Sequence, residues 1–223
     1  MIVYVHEKHF RYMKRNGGDI MNVQLGDLMG LSMVGSIMSR LQMKEKDRIE
    51  GLESEKATVL VPKAISNGRV NHQDLAVYEV KKGSGQSRLT IVDDIVIKLT
   101  TPYGCALITE EDENLVVPSY CMICRDFDAQ EVDLDYLVGY LNTEYAKQLL
   151  TAGVAATTNS MLKPRDIHQL PVPMLPLNEQ RMLGKLYRLS SEKQLVLKQM
   201  LANEEALADN LITSAILEVM RGE

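Results

Sequence analysis

Closely spaced prolines near residue 170 constrain this chain more than any other feature, because they separate two kinds of backbone. Proline fixes φ and removes a backbone N–H, so residues 170–175 must be extended, at a sheet edge or in a polyproline-like conformation, and cannot be helical. Pro176 suits the first position of a helix, and the carboxylate of Glu179 suits its positive end, with Asn178 as an alternative N-cap. The three prolines are Pro171, Pro173 and Pro176.

The segment that follows has no proline up to Glu223, and its apolar residues recur mostly at three- and four-residue steps. This spacing predicts one long amphipathic helix, interrupted in its apolar seam by polar residues such as Asn203 and Glu204, as in an imperfect coiled coil. At about 1.5 Å per residue, a helix from Leu177 to Met220 is roughly 65 Å long, so we expect a partner helix to cover it. The predicted dimer-interface residues are Leu186, Val196, Met200, Leu207 and Leu211.

The middle of the chain has β-branched runs bounded by glycine, proline, asparagine or acidic residues, the pattern of short antiparallel strands. Asp133 suits an N-cap, and a helix is predicted from there to Thr151. Segment 41–56 is compatible with a loop or a helix. The predicted strands are 57–62, 75–80, 89–99, 106–108 and 116–125. Together these elements predict a mixed α/β (α+β) domain with a curved, largely antiparallel sheet, followed by one long C-terminal coiled-coil helix.

Composition fits one domain with an extension. Hydrophobic residues make up 45% of the chain, with no tryptophan and 13 methionines, so an adaptable aliphatic core is expected. An odd number of cysteines without a secretory signal, and no run of membrane-spanning length, predict a reduced cytoplasmic protein that does not enter membranes. Residues 1–20 are basic, which fits an arm that touches phosphates or an upstream translation start with no role.

Charge is unevenly distributed. The net charge of -5 and pI near 5.5 argue against a protein that grips DNA unaided, because lysine and arginine supply most non-specific affinity. Residues 62–88 hold five bases and two acids, whereas residues 110–135 hold nine acids and one base. One face could therefore meet DNA, or both segments could be ordinary solvated surface.

Cysteine and histidine patterns predict no metal centre. Cys121 and Cys124 form a C-x-x-C to which only Cys105 could be added, and residues three apart on a strand face opposite sides of the sheet. We therefore predict core cysteines. The histidines are scattered, with none at the spacing of a helical metal pair.

Catalytic motifs are equally weak. Glu79 and Lys81 resemble part of a nuclease metal site. Such a site also needs an acidic residue on a neighbouring strand, and Asp74 is too close in sequence to lie on the other strand of the usual hairpin. No glycine-rich cofactor loop, Walker A sequence or nucleophile triad is present in the sequence. We predict a non-catalytic chain with no cofactor and no metal.

Several short segments occur in a defined order: LGDL at 25–28, ISNGRVN at 65–71, VDDIVIKLT at 92–100, DLDYLVGYLNTEYAKQLL at 133–150, and a polar loop, proline strand and P-x-x-E-Q helix start within 157–180. This order resembles that of the specificity subunit of type I restriction-modification systems. Asp93 of this chain stands where that family usually has a glycine. Members of that family carry two target recognition domains and two long helices. The resemblance therefore implies a half-subunit.

The resemblance implies three regions: an N-terminal extension of uncertain role at 1–22, a target recognition domain at 23–176, and a dimerisation or spacer helix at 177–223. It also implies a subunit that recognises one half of a bipartite target in double-stranded DNA and pairs with a second copy. The implied partners are a DNA adenine methyltransferase subunit and a restriction (translocase and endonuclease) subunit. Two other functions stay open: an orphan DNA-binding regulator, and a protein-interaction adaptor that acts through the long helix.

Under the implied function, polar side chains near the recognition segments become candidates for DNA contact. Amides suit adenine and guanidinium groups suit guanine, whereas lysines, hydroxyls and loop amides suit phosphates. The candidates for base contact are Asn67, Arg69, Asn71, Gln86 and Arg88. The candidates for backbone contact are Lys63, Lys81, Lys82, Thr158, Asn159, Ser160 and Lys163. Each also fits a turn or surface position, and Asn67-Gly68 is in addition a hairpin-turn signal.

Overall fold

The computed structural model describes residues 21–152 and 161–221, which form antiparallel sheets, short helices and one long C-terminal helix. The strands are β1 Met21–Gln24, β2 Met29–Val34, β3 Ser54–Val59, β4 Ile65–Ser66, β5 Arg69–Val70, β6 Ala76–Lys81, β7 Ile95–Lys98, β8 Cys105–Leu107, β9 Cys121–Phe127 and β10 Pro171–Met174. The helices are α1 Met38–Leu41, α2 Glu45–Ile49, α3 Leu134–Leu141, α4 Glu144–Thr151, α5 Pro164–His168 and α6 Leu177–Arg221. The predicted mixed fold with antiparallel sheets and a long last helix is confirmed.

A central sheet of order β2-β9-β7-β8 is buried on both faces. Side chains alternate along a strand, so Ile95 and Ile97 pack on one side, against α3 and α5, while Val96 packs on the other. Three two-stranded pairs, β1-β10, β3-β6 and β4-β5, surround this sheet, and all the strand pairs are antiparallel. Two hydrophobic clusters, one on each side of the sheet, form the core.

The proline segment is extended, as predicted, and forms the two-stranded pair of β10 with β1. Val172 is fully buried, and α3 satisfies two backbone acceptors of the strand: the Tyr136 hydroxyl donates to the Pro173 carbonyl at 2.6 Å and the Tyr140 hydroxyl to the Pro171 carbonyl at 2.5 Å. Helix α6 then begins directly after Pro176, so the predicted transition from strand to helix is confirmed.

Elsewhere the elements differ in detail from the prediction. Strands β1 and β2 were not predicted, because Gly30 and Ser32 break any β-branched run in β2. The helix predicted at 133–151 is two helices, since the Thr143 hydroxyl accepts the Ala146 N–H at 3.2 Å and caps α4 as a separate element. The undecided segment 41–56 contains α2 and the start of β3.

Helix α6 has two parts with different surroundings. Its first part, residues 177–191, packs against α3 and is called the proximal segment. The distal segment, residues 192–220, has every side chain exposed. The helix has 45 residues and is therefore about 68 Å long at about 1.5 Å per residue. No helix in the described ranges has the length and apolar character needed to cross a membrane.

Candidate nucleic-acid interface and helix junction

Gln180 fixes the start of α6 to the domain. Its side chain is 1% exposed, and its amide N–H groups donate to the carbonyls of Leu175 at 2.8 Å and Glu131 at 3.2 Å. Its amide oxygen accepts the Asp133 N–H at 3.0 Å. One buried amide therefore satisfies three backbone groups, and it joins the proline strand, the start of α3 and the long helix.

Close approach of α3 and α6 depends on glycine. A Cβ atom on Gly184 would lie 2.6 Å from the Tyr136 nitrogen, and one on Gly139 would lie 2.9 Å from the Tyr187 ring. Any side chain at either position would push the helices apart. The Tyr187 ring fills this space, and burial raises the pKa of its hydroxyl to about 12.

The proximal segment also holds the predicted Asn67-Gly68 turn, which is confirmed by positive φ values of 51° and 78°. The Ser191 hydroxyl donates to the Asn67 carbonyl. A Cβ on Gly68 would lie 2.7 Å from the Tyr187 hydroxyl, so only glycine fits beneath the helix. Asn67, a candidate for base contact, thus lies at the junction between the domain and α6.

A carboxylate shared by two guanidinium groups lies beside this turn. Arg69 donates to Asp135 at 3.4 Å, and Arg188 of α6 lies 3.3 Å from the other oxygen of the same carboxylate. Burial raises the pKa of Asp135, while Arg69 and Arg188 act against that rise. Arg69, proposed for guanine contact, therefore already has a partner within the domain.

The candidate lysines lie on the domain surface, each next to an acid. Lys63 pairs with Asp74 at 2.5 Å, Lys82 with Glu53 at 2.5 Å, and Lys81 with the buried Asp47 at 3.4 Å. The side chains of Lys63 and Lys82 are 80% and 63% exposed, whereas that of Lys81 is 28% exposed. Pairs exposed on both sides are worth only about 0 to 1 kcal/mol, so a phosphate could displace Glu53 from Lys82, whereas Asp74, the partner of Lys63, is only 21% exposed.

The other candidates are mixed. Asn71 caps a short turn, accepting the Gln73 N–H at 3.2 Å and donating to Asp74 at 2.7 Å, and Arg88 donates to the Val34 carbonyl. Gln86 is exposed in a single 3₁₀ turn after Gly85, and Lys163 is exposed at the start of α5. Thr158, Asn159 and Ser160 lie outside the described residues.

The basic excess of segment 62–88 is largely paired. Lys63, Lys81, Lys82 and Arg69 each meet a carboxylate, three of which belong to other segments of the chain. Sequence counting could not reveal this, because Asp47, Glu53 and Asp135 lie far from their partners along the chain. The net field of this surface is therefore weaker than the local sequence suggests.

The three cysteines are core residues, as predicted. Cys105 lies in β8, and Cys121 and Cys124 lie in β9 with their side chains in different clusters. Burial raises the pKa of Cys105 and of Cys121 to about 12 and that of Cys124 further. Within residues 21–152 and 161–221, no three His, Cys, Asp or Glu side chains come together as a metal site.

An apolar face runs along α6 on the side away from the domain. Leu186 and Leu189 are 65% and 51% exposed although their neighbours Tyr187 and Ser191 pack on the domain. The predicted dimer-interface residues all lie exposed on this helix: Leu186, Val196, Met200, Leu207 and Leu211. At about 100° per residue these five project within roughly 80° of one another, so they form one continuous stripe.

The junction residues were missed as structural determinants. Gln180 was recognised only as part of the P-x-x-E-Q pattern, whereas Tyr187 and Ser191 had no signal beyond being polar positions within an apolar helix. Polar residues within an otherwise apolar helix can be read as such determinants, because a buried amide or hydroxyl must have a hydrogen-bond partner inside the fold.

Comparison with known proteins gives no family model and no curated relative that matches this chain. Solved structures do match. The HsdS subunit from Thermoanaerobacter tengcongensis is 17% identical, with a TM-score of 0.54 over 79% of this chain. The chain has the fold of a type I restriction-modification S subunit.

A second match comes from a structure on complex assembly and conformational transition of the type I R-M system. That chain is 16% identical, with a TM-score of 0.57 over 91% of the present chain. The present chain spans 50% of that chain and 43% of the Thermoanaerobacter HsdS subunit. It therefore corresponds to about half of an S-subunit fold, with one domain and one long helix.

Proposed function

We propose that this chain is a half-length specificity subunit, which recognises one half of a bipartite DNA target and pairs with a second copy through α6. One observation carries the proposal: the chain has half of the S-subunit fold, and the distal segment of its long helix is exposed along its whole length. An exposed apolar stripe of this length favours a partner helix, which a second copy of this chain would supply.

Two-fold pairing follows from the direction of the stripe. It includes Leu186 and Leu189, which flank the domain, and continues to Leu207 and Leu211 in the distal segment. Two such helices packed antiparallel would bury both stripes along their whole length and set one domain at each end. At about 34 Å per DNA turn, the helix length corresponds to domains separated by one to two turns. The proposed target is a split inverted repeat.

DNA contact is proposed to begin with the exposed lysines. Lys63, Lys82 and Lys163 can reach phosphates, because all three side chains are exposed; Lys63 pairs with the partly buried Asp74 and Lys82 with the exposed Glu53. Arg69, Asn71 and Arg88 require side chains to leave contacts within the domain. Base contact through Asn67, Arg69, Asn71, Gln86 and Arg88 is therefore the more demanding part of the proposal.

Catalysis is proposed to come from partners, a DNA adenine methyltransferase subunit and a restriction subunit. The test is co-expression of this chain with such a methyltransferase subunit, followed by mapping of methylated adenines in the host DNA. Methylation at a split inverted repeat supports the proposal. Methylation at a continuous or asymmetric target, or complex formation without any change in methylated sites, contradicts it.

Phosphate contact is tested in the same complex. Lys63→Ala/Lys82→Ala is expected to lower the slope of log Kd against log salt by about 2, because each phosphate contact contributes about one counterion. Lys193→Ala/Lys198→Ala, on α6, is the matched control and leaves the slope unchanged. An equal loss in both double variants would mean that only net charge matters.

A further inference from the structure

A polar cavity of about 330 Å³ lies where the domain meets α6. It is lined by the β4-β5 turn, the loop after β7, the junction of α3 with α4, and one face of the helix. We call it the junction cavity. Because its wall includes both the domain and the long helix, anything bound there would contact both.

Lys98 is the buried cation of this cavity. It is 9% exposed at the end of β7, and its ammonium donates to the Ile65 carbonyl at 3.1 Å. That carbonyl is its single acceptor among the described residues, and no carboxylate lines the cavity. The sequence of residues 153–160, GVAATTNS, has no acid either. A buried ammonium with one neutral acceptor is costly unless an anion joins it.

A second lysine adds to the positive charge of the cavity. Lys147 of α4 also lines the cavity, and its side chain is 26% exposed. Its partner Glu144 lies 2.8 Å away with an 81% exposed side chain, and Glu144 is not part of the cavity wall. Burial lowers the pKa of Lys98, and the nearby Lys147 ammonium lowers it further, so the two charges repel across the cavity.

The rest of the wall suits a small oxyanion. Ser66, Ser190 and Gln194 bring hydroxyl and amide groups to the cavity from the turn and from α6. Gly104 also lines the cavity, where a Cβ would lie 3.0 Å from the Asn142 Oδ1 and in ordinary contact with the Lys98 Cε at 3.6 Å. Two cations, neutral donors and no carboxylate are the ordinary elements of a phosphate site.

We propose that the junction cavity binds a phosphoryl group, held by Lys98 and Lys147, which stabilises the contact between the domain and α6. The group is a phosphate of bound DNA or of a free small molecule, since both present the same oxygens. The free-phosphate arm of the test is independent of the proposed DNA recognition.

The test is thermal unfolding of the full chain in sodium phosphate, about 20 mM, against sodium chloride of the same ionic strength. Wild type is expected to unfold about 2 to 4 °C higher in phosphate. Lys98→Met keeps the volume, removes the charge and loses this difference, and Lys147→Met loses part of it. Lys56→Met, an exposed lysine on β3, is the matched control and keeps the full difference.

A second arm replaces phosphate by a mixed-sequence DNA duplex in chloride. If the duplex stabilises wild type but not Lys98→Met, and free phosphate has no Lys98-dependent effect, the phosphoryl source is the DNA backbone. If only free phosphate depends on Lys98, the source is a small molecule. The proposal is overturned if Lys98→Met and Lys56→Met respond alike to both probes. The proposed function is tested separately, by the methylation map of the complex, so its failure there would leave the phosphate result standing.

Discussion

The two segments of α6 belong to one helix, yet only the proximal segment packs against the domain. In the proximal segment the side toward α3 carries polar and small residues, Gln180, Gly184, Tyr187 and Ser191, and all of them make specific contacts. In the distal segment the apolar residues are exposed. Buried polar residues thus identify the segment that is fixed to its own domain. Exposed apolar residues identify the segment that is available to a partner helix.

The largest change in stability is expected where α3 and α6 cross. Gly184→Ala is expected to destabilise the chain by about 2 to 3 kcal/mol, because its methyl group would meet the Tyr136 backbone nitrogen. In an exposed helix the same change would stabilise by about 1 kcal/mol. Urea unfolding at fixed protein concentration measures both the size and the sign. Thr213→Ala, in the distal segment, is the control and is expected to be neutral or slightly stabilising. A stabilised Gly184→Ala would mean that the helices are not in close contact.

Loss of the buried amide is the next largest effect. Gln180→Ala is expected to cost about 2 kcal/mol, since it leaves the Asp133 N–H and the Leu175 and Glu131 carbonyls without partners. Gln199→Ala, an exposed amide of the same helix, should change the free energy of unfolding by less than about 0.5 kcal/mol. Equal effects at the two positions would remove the distinction between the segments.

The smallest effect is expected at the last proximal contact. Ser191→Ala removes one hydrogen bond to the Asn67 carbonyl and should cost about 1 kcal/mol. Ser214→Ala is the matched change in the distal segment and should leave unfolding unaffected. Hydrogen exchange adds a second readout, because amides of the β4-β5 turn should exchange faster in Ser191→Ala alone.

Much of the fold was accessible from sequence where a residue has a strong local preference. Pro171 and Pro173 predicted an edge strand, Asn67-Gly68 a tight turn, and apolar periodicity the long helix. Strand β2 was missed, because it depends on pairing with β9 rather than on its own residues. The break between α3 and α4 was not predicted from apolar periodicity, since it rests on the Thr143 cap.

The candidate site was harder to predict for the same reason. Lys63 and Lys82 could be identified as exposed cations from local charge, but pairing of Lys81 with Asp47 and of Arg69 with Asp135 depends on contacts between distant segments. The burial of Lys98 follows from its position at the end of a strand covered on both faces. Local sequence carries neither kind of information.

Size-exclusion chromatography with light scattering tests the central claim most directly, on wild type, Leu207→Glu/Leu211→Glu and the control Ala202→Glu/Ala206→Glu, whose carboxylates lie roughly opposite the apolar stripe. We expect a wild-type dimer, a folded monomer for Leu207→Glu/Leu211→Glu and a dimer for the control, because carboxylates in the stripe cannot be buried against a second helix. A wild-type monomer at micromolar concentration, or a dimer that survives both double substitutions, would contradict it.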